Sequence, residues 1–264
     1  MTGATDAFGP ADTGGTPWSG RTLSGTGFDR DDGAADPAML RALEQRAAGP
    51  SVEDDSALMR RVHAARWIVP IVAVPAVPAV PAEHGEADGP AAKASTDMAV
   101  VTLAAPNGRR ALPIFTSAAA LSAWDPTARP VPVTASRAAQ AAVSEGCEVL
   151  VVDVAGSTPT ELRPSMVWAL SQDRDWLPSH LDPFVARAIS GALEQEDAVV
   201  GHAVEDGEPV AGGVLRVVLR LVPGLAQRQV QSLATRIAER LATDGEFRAR
   251  VDELTFALTP ADAT

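Results

Sequence analysis

The segment from Arg109 to Ser117 sets two guanidiniums, Arg109 and Arg110, ahead of an apolar run and two hydroxyls, Thr116 and Ser117, behind it. A helix is expected after Phe115. Either hydroxyl suits its start, where a side-chain oxygen accepting an orphan backbone N–H is worth about 1 kcal/mol. The same N–H groups attract anions, so Arg109, Arg110, Thr116 and Ser117 make a candidate anion site, with Arg110 assisting the helix terminus. Capping is the stronger of the two readings, because nearly every helix needs a cap. A second pair, Arg216 and Arg220, stands at i and i+4 in an alternating apolar run, which puts both on one side of a strand. They are the candidate partner-binding residues, against the plainer reading of an exposed sheet face carrying ordinary charges.

Other constellations fall short of chemistry. Asp29-Arg30-Asp31-Asp32-Gly33 begins like a calcium loop, but Gly33 falls where the third oxygen ligand belongs and no glutamate closes it. His63, His84, His180 and His202 stand at no ligand spacing, so no metal site is expected. A nucleophile elbow, a P-loop and a dinucleotide fingerprint are missing, so no catalytic residue and no cofactor are expected. Cys147 opens an apolar strand, where a thiol behaves as a small hydrophobe. As the single cysteine it excludes an intrachain disulfide and fits a reducing, cytoplasmic setting.

Composition narrows the partners. Acidic residues outnumber basic ones 34 to 22, a formal charge of −12 that opposes nucleic acid and anionic membrane surfaces. The first eight residues carry no basic and apolar leader pattern, and prolines interrupt the most apolar stretch, Trp67 to Ala82. Hydrophobic residues make up 46% of the chain, enough for a packed core, but aromatics only 4%, so Val, Leu and Ala must fill it.

The elements that hold these residues are legible in outline. Residues 1–27 read as a mobile tail. Asp36-Pro37 is a cap and first turn, followed by Met39, Leu40, Leu43 and Ala47 as a helical apolar face. A second helix is expected over Val52–Ala65 and a strand over Trp67–Val74. The Ala-Val-Pro triplets from Ala73 to Pro81 have the three-residue period of polyproline II, either a docking motif or a stiff spacer, with the spacer favoured. Met98–Leu103 and Arg110–Phe115 read as strands of a hairpin about Asn107-Gly108. Helices are expected over Ser117–Trp124, Ser136–Glu145 and Pro164–Ser171, and strands over Val131–Val133, Val149–Val154 and Thr160–Arg163. The expectation is an α/β (α+β) fold, a mixed β-sheet flanked by helices over residues 28–182. A smaller domain over 183–264 follows, ordered helix, strand, strand, helix, strand.

Gly20-Arg21-Thr22-Leu23, Gly27-Phe28, Asp31-Asp32-Gly33, Asp97 to Val101, Gly108 to Ser117, Ala123-Trp124-Asp125 and Leu150-Val151-Val152-Asp153 together resemble the SseB N-terminal-domain family of actinobacteria. The likeness spans roughly residues 20–182, and the remainder resembles the C-terminal region that often follows. It implies no reaction and no catalytic residue. A secretion-translocon protein of the same name is unrelated: it is expected to be helical and coiled, whereas this chain has dense apolar strands and no sustained heptads. The resulting expectation is a non-catalytic cytoplasmic module that binds a protein partner or itself. The alternative is a small-molecule or anion-binding regulator acting at Phe115–Ser117. A pocket holding Asp97, Arg110 and Ser117 together favours the regulator, and a flat apolar patch favours the module.

Overall fold

The computed structural model describes residues 27–49, 51–75, 96–105, 108–209 and 212–260. The chain divides after Asp32 into two compact units. In the first, residues 27–32 turn tightly, the Asp31 N–H donating to the Phe28 carbonyl at 3.0 Å. The second, Gly33–Thr264, carries every described helix and strand. The expected mobile tail, except Gly27, lies outside the described residues, as do the Ala-Val-Pro triplets after Pro75.

Helix α1 (Pro37–Ala48) begins where Asp36 accepts the Ala38 N–H at 2.8 Å, and α2 (Val52–Ala64) where Ser51 accepts the Asp54 N–H at 3.1 Å. Met39, Ala42 and Leu43 are buried, but Leu40, expected on the apolar face, is 38% exposed. The i, i+3, i+4 stripe centred on Met39 passes through Ala42 and Leu43 and leaves Leu40 at its margin.

Strand β1 (Arg66–Pro75) is the middle of an antiparallel sheet between β2 (Thr96–Val100) and β5 (Arg129–Thr134). Its last residues, Ala73-Val74-Pro75, pair with β2, so the first Ala-Val-Pro triplet is strand and not a polyproline loop. Pro70 sits opposite Pro130 without disrupting the ladder, because the Pro70 carbonyl faces the β2 side and accepts the Val101 N–H. Beyond Val100 that edge passes to Phe115, which exchanges two backbone hydrogen bonds with Ile68 and joins this sheet to the next. The expected single strand Met98–Leu103 is therefore two. β2 serves the first sheet, and β3 (Leu103–Ala104) serves the second. A continuous apolar run does not specify which edge each part joins.

The second sheet is mixed, ordered β3, β4 (Arg110–Ile114), β6 (Val149–Val152), β7 (Thr160–Leu162). β3 and β4 form the expected hairpin, while β4 and β6 run parallel. Between them the chain passes through α3 (Ala118–Trp124), β5 and α4 (Ala135–Ser144). The α4 alanines Ala135, Ala138, Ala139 and Ala142 pack flush against Leu112, Ile114, Leu150 and Val152. Small residues allow that close approach. Helix α5 (Pro164–Ser171) completes this core with Met166, Val167 and Leu170.

A 3-10 turn at Ser179–Leu181 leads into α6 (Pro183–Leu193), β8 (Val199–Asp206), β9 (Val214–Leu221), α7 (Gln227–Thr243), the short α8 (Gly245–Arg250) and β10 (Glu253–Pro260). β9 lies central, antiparallel to β8 and parallel to β10. Leu215, Val217, Leu219 and Leu221 bury one face of β9 against α6 and α7, through Val185, Ile189, Leu233, Ile237 and Leu241. Helix α8 is an addition to the expected order. Only Phe247 of its six residues is buried, too little to show a period.

Candidate functional site

The carboxyl ends of parallel strands are where α/β sheets gather chemistry, and Thr116 follows β4 as Asp153 follows β6. The Thr116 N–H donates to Asp153 Oδ1 at 2.9 Å and its hydroxyl to Oδ2 at 2.7 Å. Asp153 has φ 46°, a left-handed conformation that aspartate tolerates, and its carbonyl accepts the Gly156 N–H at 2.7 Å. One carboxylate thus ties the two strand ends together. Ser117 caps α3, accepting the Ala120 N–H at 3.0 Å, while the Ala118 N–H donates to the Gly33 carbonyl at 2.9 Å.

Arg109 and Arg110 lie at the far end of β4. Six residues of extended chain separate Arg110 from Thr116, about 20 Å. Arg109 pairs with Glu161 at 3.1 Å and Glu148 at 3.5 Å, and Arg110 donates to Thr102 Oγ1 at 3.1 Å. The four residues of the candidate anion set are therefore not brought together. Arg110 instead lies near enough to Cys147 to favour its thiolate, but burial outweighs it and pushes the thiol pKa up. Sequence spacing gave no sign of that neighbour.

The described histidines go to separate partners: His63 to Asp173 at 2.9 Å, His202 to Ser190 at 3.4 Å, and His180 toward Asp206 at 4.0 Å. His84 is outside the described residues. Among the described residues no group of three His, Cys, Asp or Glu side chains is placed to hold a metal ion, and no helix is long and apolar enough to cross a membrane.

Arg216 and Arg220 do share a face. Both are exposed on β9, on either side of the half-buried Val218. The residues paired with this row are Glu205, Ala203 and Gly201 on β8, and Thr255, Ala257 and Thr259 on β10. A Cβ on Gly201 would collide with the Arg220 guanidinium, so the arginine lies flat in the space that this glycine leaves. Two cations therefore stand on the side of the sheet opposite α6 and α7, Arg220 among small side chains and Arg216 opposite the exposed Glu205 carboxylate.

Residues 39–169 match the SseB protein N-terminal domain. The chain belongs to the SseB family. No curated protein and no solved structure matches it. The SseB match runs from Met39 in α1 to Ala169 in α5, so it takes in Arg109, Arg110, Thr116, Ser117 and Asp153 and leaves Arg216 and Arg220 outside.

A buried junction links the SseB domain to the segment after it. Asp55 on α2, 1% exposed, receives Arg46 Nε at 2.6 Å on Oδ1. Its Oδ2 lies 3.0 Å from Arg163 Nη1, within ion-pair distance but off the hydrogen-bonding direction. Arg163 also donates through Nε to Asp252 at 3.0 Å and lies over the Trp176 ring. Asp252, just before β10, in turn accepts the Ser165 N–H at 2.7 Å and its hydroxyl at 2.8 Å. Close by, Arg250 bridges Asp182 and Glu246 at 2.6 Å each and stacks on Phe184 and Trp168. Sequence reasoning missed this junction because its members lie far apart in the chain and each residue alone is an ordinary surface type.

Proposed function

We propose that this SseB-family chain is a non-catalytic cytoplasmic module that binds an acidic protein partner on the open face of the β8–β9–β10 sheet. The observation that carries the reading is the pair Arg216 and Arg220, both exposed on β9 above Gly201, Ala203 and Ala257. Small neighbours keep the face low around Val218 and Arg220, so a partner helix or strand can approach closely there, with Glu205 opposite Arg216 at one margin. The two backbone positions, four residues apart, are spaced about 13 Å along the strand. Carboxylates at that spacing on a partner would form charge-assisted hydrogen bonds with them. Such a cationic spot contrasts with the chain's net charge of −12, and so favours one docking orientation.

The anion-binding alternative at Phe115–Ser117 draws no such support. Its Ala118 and Ala120 N–H groups are engaged by Gly33 and Ser117, and α3 is only seven residues long.

The test is affinity purification from the native host with wild type and the Arg216→Glu/Arg220→Glu variant. A partner held by wild type, released by raised salt and absent from the folded variant supports the reading. Retention of every wild-type partner by the variant removes it, and wild-type dimerisation in sizing columns would identify a second copy as the occupant.

A further inference from the structure

Where α2 ends and β1 begins, a groove of two joined lobes opens beside the start of α1. One lobe, of about 260 Å³, reaches Met39, Trp67 and Thr116. The other, of about 320 Å³, is lined by Ala57, Arg60 and Arg61. Asp36, Ala64 and Ala65 border both, which makes the lobes continuous. Each is close to the lower size of known small-molecule pockets.

The lining is chemically lopsided. Arg60 and Arg61 are exposed and make no ion pair or hydrogen bond among the described residues. The sequence explains why. The positions three and four residues away on the helix are Ser56, Ala57, Leu58, His63, Ala64 and Ala65, none of them acidic, so neither arginine has a partner on its own helix. Arg66 differs, its guanidinium donating to the carbonyls of Thr116 at 3.0 Å and Ala34 at 2.7 Å, which fixes it as a wall. Asp36 is committed through Oδ1 to capping α1. The α2 terminus is partly answered as well, the Val62 carbonyl accepting from Ala65 N–H and from Trp67 Nε1. What is left open is a pair of guanidiniums at the rim of an alanine-floored channel. Guanidinium is matched to phosphate and carboxylate in shape and charge.

We propose that this groove binds a small organic anion, its phosphate or carboxylate head held by Arg60 and Arg61 and its apolar body lying over Ala57, Ala64 and Ala65. The site is separate from the β9 face and does not rest on the partner-binding reading.

Calorimetric titration of the full chain with phenyl phosphate, phenylacetate and the neutral benzyl alcohol tests it. Saturable one-to-one binding of either anion is expected, and the tighter one identifies the head group. Arg60→Gln/Arg61→Gln should weaken that binding roughly tenfold or more while the protein stays folded. Arg216→Glu/Arg220→Glu should leave it unchanged, which separates this site from the sheet face. Failure of both anions to saturate overturns the proposal, as does equal binding of benzyl alcohol or wild-type affinity in the double glutamine variant.

Discussion

Arg163 and Asp252 stand 89 positions apart in sequence, and their side chains meet at 3.0 Å. Neither is more than 12% exposed, so the pair carries the cost of its own desolvation and must be matched at both ends. Asp55 and Arg46 complete it on one side, Ser165 on the other.

Asp252→Ala should therefore cost about 3–5 kcal/mol, because it leaves Arg163 Nε and the Ser165 N–H and hydroxyl without their acceptor together, with Asp55 still facing the guanidinium. Urea unfolding monitored by tryptophan fluorescence measures it. A double-mutant cycle with Arg163→Ala should show strong coupling. A near-neutral Asp252→Ala would mean that water replaces the carboxylate.

On the C-terminal sheet, burial decides. Ile237 is fully buried under β9, so Ile237→Asp should unfold this part of the chain, a carboxylate without partners having no place there. Arg216→Ala, on the opposite and exposed face, should change stability by no more than about 0.5 kcal/mol. Circular dichroism melts of the two variants provide the comparison.

Ser117→Ala should lower stability by about 1 kcal/mol, the usual worth of a lost N-cap. Asp153→Ala should cost more, since both the Thr116 N–H and hydroxyl lose their acceptor. Equal effects in thermal melts would mean that the tie between the β4 and β6 ends adds nothing beyond a cap.

Glu196 is buried against α7. Hydrogen bonds from Arg236, with Arg240 beside it, hold its carboxyl below the ordinary value of 4.5. The unfolded chain thus takes up the proton first as pH falls. The stabilisation is complete above the ordinary carboxyl range and is lost as pH drops through the depressed folded value. Glu196→Gln should destabilise the protein at neutral pH and flatten the acid limb of its stability curve. Urea midpoints between about pH 7 and pH 2 would show this, and an unaltered acid limb would count against it.

Much of this molecule is legible in its sequence wherever one element answers a local rule. Asp36-Pro37 and Ser117 cap the helices they precede, and the alternation from Val214 to Leu221 assigns Arg216 and Arg220 to the outer face before any coordinates. Legibility fails where the decision is made elsewhere in the chain. Val101 and Thr102 break an apolar run because β1 exchanges one edge partner for another. The short α8 has too few apolar positions to announce itself. Asp55, Arg163 and Asp252 carry no common motif, and only folding makes them neighbours. The Arg60 and Arg61 groove was equally silent, its walls coming from two helices and a strand start.

The position of β10 bears on how the chain is made. Synthesis runs from the amino end, so Asp252 and β10 leave the ribosome after Arg163, Ser165 and β9, which have by then begun to fold. Until then Arg163 and Ser165 lack their carboxylate, and β9 presents the bare edge that β10 will cover along its whole length from Val214 to Leu221. A nascent or prematurely terminated chain thus displays an unpaired, valine- and leucine-rich strand, the kind of surface that chaperones bind and that self-associates if they do not. Asp252 and β10 together work as a completion signal, closing the edge and supplying the junction's carboxylate in one step.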